Sequence, residues 1–238
     1  MRYVWATGTH QGRLRDHNED AVFPVVSGSS SGPVVIAVAD RMGGHIAGEV
    51  ASRLAIEQVA ATPSTDDATA SERVVAANDR LLTAVSEEPA LLGMGTTLTL
   101  GLFVPGGTLT VGHVGDSRGY RMRAGELEQL TKDHTVVSEL IELGHLSPDA
   151  AARHPQRHLL TRTLGLGPVE ADSYNVDLEI DDRVLICSDG LTTMLDDDQI
   201  AVLLNGADVE ATVWDLIEAA NDAGGVDNTT VAVIDVVP

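Results

Sequence analysis

Four apolar runs in the chain each meet an aspartate. VVIAVAD ends at Asp40, LTVGHVGD at Asp116 and VLICSD at Asp189, while GGVD places Asp227 just ahead of the run TTVAVIDV. A carboxylate at the end of a buried strand is costly to desolvate unless positive charge compensates it. Any one of these aspartates would serve as a helix cap or a turn residue. Four of them, each beside Gly, Ser or Asn, suggest one shared compensator: a cluster of divalent cations. The ligands would all be oxygen, which favours hard ions, Mg2+ or Mn2+, over zinc.

The elements that must position them read as blocks of strands and blocks of helices. Residues 3–9 and 20–26 read as strands, separated by a polar loop around Gly12 to Asn18. SGSSSGP at 27–33 is a turn that makes 20–26 and 34–39 a hairpin. Residues 47–61 and 70–86 have helical spacing, with the loop TPSTDDAT between them. Residues 96–104 and 108–115 flank Pro105-Gly106-Gly107, a hairpin signal, and 118–123 with 127–130 extend that sheet. A helix at 135–143 precedes an irregular stretch from His145 to about Arg162. Strands at 172–178 and 183–188, helices near 197–204 and 208–222, and a strand at 229–236 complete the chain. Such blocks indicate α+β architecture, antiparallel sheets packed between helices, and argue against an alternating parallel sheet.

Composition narrows the function. The 238 residues are 43% apolar, enough for one large domain over 1–238. A net charge of −21 argues against direct contact with a nucleic-acid backbone or an anionic membrane. The N-terminus carries no apolar signal core, and no apolar stretch reaches membrane-spanning length. The sole cysteine, Cys187, lies in an apolar run and reads as a buried structural thiol, which fits a cytoplasmic protein. Oligomeric state is not legible, because no apolar stripe stands out from the helix faces expected to be buried.

Six motifs occur in order: RLRDHNED at 13–20, ADRMGGHIAGEVAS at 39–52, MGTTLT at 94–99, GDSRGY at 115–120, CSDGL at 187–191 and DNTTV at 227–231. Together they resemble the metal-dependent protein serine/threonine phosphatases of the PPM (PP2C) family across nearly the whole chain. The segment 132–165 resembles the flap of the bacterial branch that opposes Hanks-type kinases. The resemblance implies a central antiparallel β-sandwich with a helix pair on each outer face. It implies hydrolysis of phosphoserine and phosphothreonine in phosphorylated proteins, with a serine/threonine kinase as the opposing partner. The cofactors implied are two core ions, Mn2+ or Mg2+, and a third, looser one.

The resemblance also assigns residues. Asp40 bridges two ions, Asp189 and Asp227 complete the first site, and the carbonyl of Arg41, with Glu19 nearby through water, serves the second. Asp20 orients a bound water, Asn228 stands behind the ligands, and Asp116 with Asp189 forms the third site. Arg15 matches the arginine that holds the substrate phosphate with its planar fork. Two cations roughly 3.5–4 Å apart can activate a water and clamp phosphate oxygens, so no protein nucleophile is needed.

Rival phosphate chemistries lack their parts. Cys187 is followed by SDGLTT without the arginine of a cysteine phosphatase loop, and no GxxxxGK[ST] is present. Three histidines are candidates for a group behind the metals or a general acid: His45 in MGGH, and His154 and His158 in RHPQRH. His113, mid-strand, reads as a core residue. One departure matters. Where the family reads DGMGG, this chain reads DRMGG, so Arg41 replaces a glycine. The expected pose sends Arg41 outward along the surface with metal affinity at the second site reduced. The alternatives to a protein phosphatase are a weakly active or inactive phosphoprotein-binding module, and a hydrolase of small phosphate esters.

Overall fold

A computed structural model describes the chain except for residues 43–46, 152 and 207. The strands in order are β1 (Arg2–His10), β2 (Ala21–Phe23), β3 (Gly28–Ser30), β4 (Val34–Ala39) and β5 (Arg41–Met42). Helices α1 (Ala47–Ala61) and α2 (Ala70–Glu87) follow, then β6 (Gly95–Thr96), β7 (Leu98–Val104), β8 (Thr108–Val114), β9 (Arg118–Arg123) and β10 (Glu126–Gln129). Next come α3 (Val136–Glu142), α4 (Pro148–Ala151), β11 (Asp172–Asp177), β12 (Arg183–Cys187), α5 (Asp189–Thr192), α6 (Asp197–Leu204), α7 (Val209–Asp222) and β13 (Thr229–Val237).

Two antiparallel sheets form a sandwich, one ordered β10-β9-β12-β13-β1-β3 and the other β11-β8-β7-β4-β2. Strand alternation sorts each apolar run onto two faces. In β4, Val34, Ile36 and Val38 join Tyr3, Phe103, Val184, Ile186 and Ile234 between the sheets. Val35, Ala37 and Ala39 instead meet α1 and α2 through Leu54, Val59, Val74 and Leu81. On the other side Leu185, Cys187, Val231 and Val233 meet α6 and α7 through Ile200, Val213 and Leu216. Both faces of the central strands are covered, which is why these runs are continuously apolar rather than alternating. The expected sandwich with a helix pair on each outer face is the fold the chain adopts.

The structure departs from the sequence expectations in places. The strand expected over 20–26 is only Ala21–Phe23, because Pro24 has no N–H to give a ladder. The chain then crosses to the other sheet, where Gly28–Ser30 pairs with β1 (Tyr3↔Ser30, Trp5↔Gly28). The expected turn at 27–33 therefore holds a strand, and no simple hairpin joins 20–26 to 34–39. A two-residue ribbon, β5 with β6, pairs Arg41 with Thr96 and Met42 with Gly95. The stretch after His145 includes the single turn α4, and Asp189 opens the short α5.

Phe103, fully buried and 5.3 Å from the Tyr3 ring, anchors the layer between the sheets. Phe103→Ala should cost about 3–5 kcal/mol, the range for deleting a buried aromatic. Urea unfolding checks this; an unchanged midpoint would show that the sheets do not depend on that layer.

Candidate active site and metal centre

At one end of the sandwich the layer between the sheets stops being apolar. The positions that continue the inward faces of β2, β4, β7, β12 and β13 are Asp20, Asp40, Thr97 with Thr99, Ser188 and Thr230. Hydroxyls and amides there hold Asp20 by its carboxylate and Asp40 by its backbone. Thr230 Oγ1 donates to Asp20 Oδ2 at 2.7 Å, and Asp40 N donates to Thr97 Oγ1 at 3.0 Å. Thr96 Oγ1 and Thr97 N both donate to the Asp40 carbonyl at 2.8 Å. Two glycines permit the close approach. A Cβ on Gly115 (φ +114) would lie 2.5 Å from Thr97 Cβ, and one on Gly190 would lie 1.8 Å from the Asn228 carbonyl oxygen. The first brings Asp116 beside the Asp40 strand. The second lets the turn carrying Asp189 sit against the loop carrying Asp227.

Asp20, Asp40, Asp116 and Asp189 perturb one another. Burial pushes Asp40 well above the usual carboxylate range, and the negative charges of Asp20, Asp189 and Asp116 push it further. Asp116 is raised by burial and by Asp189 and Asp133. Asp189 is raised by burial and by Asp227, against the pull of His158 and Arg15. Asp20 is pushed up to about 6, chiefly by burial, although hydrogen bonds from Thr230 and Ser188 pull it down. All four residues keep partial solvent contact, but Asp20 Oδ1 is itself buried and without a hydrogen-bond partner.

The loop before β2 brings the remaining residues to the rim. Arg15 Nη2 donates to Asp227 Oδ2 at 2.6 Å. Asn228 is buried and works as a clamp: its Oδ1 accepts from Glu19 N at 2.8 Å, and its Nδ2 donates to the Gln11 and His17 carbonyls at 2.9 Å. Ser52 Oγ on α1 donates to the Glu19 carbonyl at 2.5 Å. Arg41 does not take the expected outward pose. Its guanidinium pairs with Glu19, and the two side chains are 14% and 15% exposed. The β5–β6 ribbon accounts for this by fixing the residue after Asp40 beside Thr96, from which the side chain reaches Glu19 rather than solvent.

A groove of about 550 Å3 opens beside the cluster, lined by Asp116 and Asp189, by Val137 and Ile141 of α3, and by His158. Of the three histidine candidates, His158 is therefore next to the carboxylates. His154 Nδ1 instead accepts from Gln156 N in its own turn at 3.2 Å. His45 lies outside the described residues. His113 is a core residue, as its position in the strand implied, and burial lowers its pKa to about 4.

Sequence reasoning missed the residues that tie segment 132–165 to the sheets. His113 Nε2 donates to the Lys132 carbonyl at 3.0 Å. Its neutral ring then leaves Nδ1 to accept from Thr99, 2.8 Å away. His134 Nδ1 accepts from Gly115 N at 3.1 Å, and its Nε2 lies 3.3 Å from Asp172. Arg118 forks onto Asp133 at 2.7–3.1 Å. Only the position of Arg118 in GDSRGY could have signalled these contacts; the other partners are too far apart in sequence.

The donor set fits a hard cation. It is all oxygen, the carboxylates repel one another, and one buried carboxylate oxygen lacks a donor. Among the described residues no three His, Cys, Asp or Glu side chains already close as a cage. Two carboxylates assigned to the ions, Glu19 and Asp227, are engaged by arginines instead.

Comparisons with known proteins agree with this geometry. The family model for protein phosphatase 2C matches residues 7–227. The chain is 42% identical over its whole length to the serine/threonine protein phosphatase PstP of Mycobacterium tuberculosis, and it spans 45% of that relative's length. It is 37% identical to the serine/threonine phosphatase stp of Listeria welshimeri, over 95% of this chain and 93% of that one. The crystal structure of the Mycobacterium tuberculosis phosphatase PstP/Ppp superposes with a TM-score of 0.91 at 40% identity, covering all of both chains. That of the PstP catalytic domain in complex with two manganese ions gives 0.88 at 38% identity, again covering all of both chains.

A stability prediction follows from the raised pKa of Asp20. Between its ordinary value of 3.8 and about 6, the folded state holds a proton that the unfolded state has lost. Folded stability from this group therefore falls as pH rises through that window and is flat above it. Asparagine has no proton to lose. In EDTA, Asp20→Asn should gain on the parent by about 2–3 kcal/mol between pH 4 and pH 7. Urea midpoints across that range measure it; parallel pH profiles would show that Asp20 is not desolvated in the fold.

Proposed function

The chain belongs to the protein phosphatase 2C family, and we propose that it hydrolyses phosphoserine and phosphothreonine in proteins, using two Mn2+ or Mg2+ ions with a third, looser one. The observation that carries this reading is the group of mutually repelling carboxylates at one end of the sandwich, with Arg15 on its rim. The bound ions would supply Lewis acidity to a water and to phosphate oxygens.

The chain's own residues divide the remaining work. Asp40, Asp189 and Asp227 hold the first ion. Asp40 and the Arg41 carbonyl, with Glu19 nearby through water, would serve the second, and Asp116 with Asp189 would take the third. The unpartnered Oδ1 of Asp20 orients the attacking water. Arg15 offers a planar fork to two phosphate oxygens once it turns from Asp227. His158, beside Asp189 in the groove, is positioned to give a proton to the leaving serine or threonine oxygen. Cys187 is no rival nucleophile: it is fully buried, and burial pushes its thiol up to about 12.

The wider reading is that residues 1–238 act as one catalytic domain, with a flap at 132–165, opposing a serine/threonine kinase in the cytoplasm. The single buried thiol supports the compartment. No helix among the described residues is long and apolar enough to cross a membrane. An inactive phosphoprotein-binding module is not favoured, since relatives matching the full chain are named as phosphatases.

Two tests address this reading. Turnover of a phosphothreonine peptide should need added Mn2+ or Mg2+ and stop in EDTA, and Asp189→Asn and Asp227→Asn should each lose most of it while keeping the native circular dichroism spectrum. Undiminished activity under chelation would refute the metal role, and near-native rates in both variants would refute the ligand assignment. Arg15→Ala should cost kcat/KM about 1.5–3 kcal/mol, the scale of a hydrogen bond to a charged group. An unchanged kcat/KM would place phosphate recognition elsewhere.

A further inference from the structure

Two fixed positive charges stand at the rim of the acidic cluster, and they are held differently. Arg15 pairs with Asp227 where the side chains are 46% and 31% exposed. Solvent and salt screen that pair, and breaking it costs little. Arg41 pairs with Glu19 at 14% and 15% exposure. Both members are also anchored through their backbones. Arg41 is paired with Thr96 in the ribbon, and the Asp40 carbonyl just before it accepts from Thr96 Oγ1 and Thr97 N. Glu19 is gripped on its N–H by Asn228 and on its carbonyl by Ser52.

We infer that Arg41 is a built-in competitor of the second divalent cation, filling part of the cluster's demand for positive charge and making the protein respond to the free-cation level. This rests on the metal-dependent phosphatase reading. The first ion, on Asp40, Asp189 and Asp227, would meet the exposed Arg15 at Asp227. The second, on the Glu19 side, would have to displace an ion pair shielded from solvent whose two residues are held by their backbones. At low free Mn2+ the guanidinium holds Glu19 and one ion binds. At high free Mn2+ the ion wins Glu19, and Arg41 swings away from two cations of its own sign. A glycine at 41 would leave a cluster that takes both ions at similar concentrations.

The test counts ions rather than turnover. Mn2+ binding to the whole chain and to its R41G and R41Q variants is measured by loss of the free-Mn2+ electron paramagnetic resonance signal and by titration calorimetry. R41Q removes the charge but keeps a polar side chain on the ribbon backbone, so it tests the proposal even if glycine loosens the ribbon. The parent should bind its second ion at least roughly tenfold more weakly than the first, and both variants should tighten that step by roughly tenfold or more. Identical isotherms in parent and variants, with both ions bound, would overturn the role of Arg41 while leaving the phosphatase reading intact. No Mn2+ binding in any of the three proteins would overturn both.

Discussion

Like charges brought together inside a fold repel one another, and this chain places Asp20, Asp40, Asp116 and Asp189 within mutual influence at one end of its sandwich. Water cannot screen such a group well, so something else must. A hydroxyl supplies part of the compensation, Thr230 donating to Asp20, while Thr97 fixes the backbone of Asp40 by accepting from its N–H. Arginines supply more at the rim, on Asp227 and Glu19. What remains is a buried carboxylate oxygen without a donor, and a net negative centre that a divalent cation neutralises more completely than any side chain. The rest of the structure makes that arrangement tolerable. Two sheets, each covered by helices, bury enough apolar surface to hold the carboxylates together against their repulsion.

The same alternation that builds the core also builds the site. Positions facing the other sheet are apolar along β4, and their continuation past the strand end is Asp40. In β13 the inward positions Ala232, Ile234 and Val236 lead back to Thr230, the donor to Asp20. One register therefore sets both burial and chemistry. A one-residue slip in either strand would turn the polar end outward along with the core. Gly115 and Gly190 then remove the last steric barriers between neighbouring loops.

The architecture was legible because strand runs, hairpin loops and helical spacings are local signals, and the aspartates were legible because each ends an apolar run. The crossing at Pro24 was not, since alternation says where a strand faces but not which sheet it joins. The ribbon holding Arg41 was missed for a related reason. Met42 and Gly95 form no apolar period, and their pairing depends on a contact across more than fifty residues of chain. The flap anchors belong to the same class. His134 and Asp172 are polar residues in unremarkable local surroundings, and only the fold shows that one reaches Gly115 beside the cluster while the other holds its ring. The outward pose expected of Arg41 failed because free arginines prefer solvent, whereas this one starts from a fixed ribbon with a clamped carboxylate within reach.

Arg15 shows how the charges would constrain the order of events in the proposed reaction. The chain carries −21 overall, and its cluster adds local repulsion to any incoming phosphate dianion. The guanidinium proposed to hold that phosphate already donates to Asp227. If it left for the phosphate while Asp227 stayed without a cation, the chain would exchange one ion pair for another and bring two anionic groups closer. In the proposed reading, a divalent ion on Asp227 would remove that cost: the carboxylate would have a stronger partner and the guanidinium would be free to meet an anion. Metal before phosphate would thus be the order in which Asp227 keeps a positive partner throughout, and it follows from the position of Asp227, between an arginine on one side and the repelling Asp189 on the other.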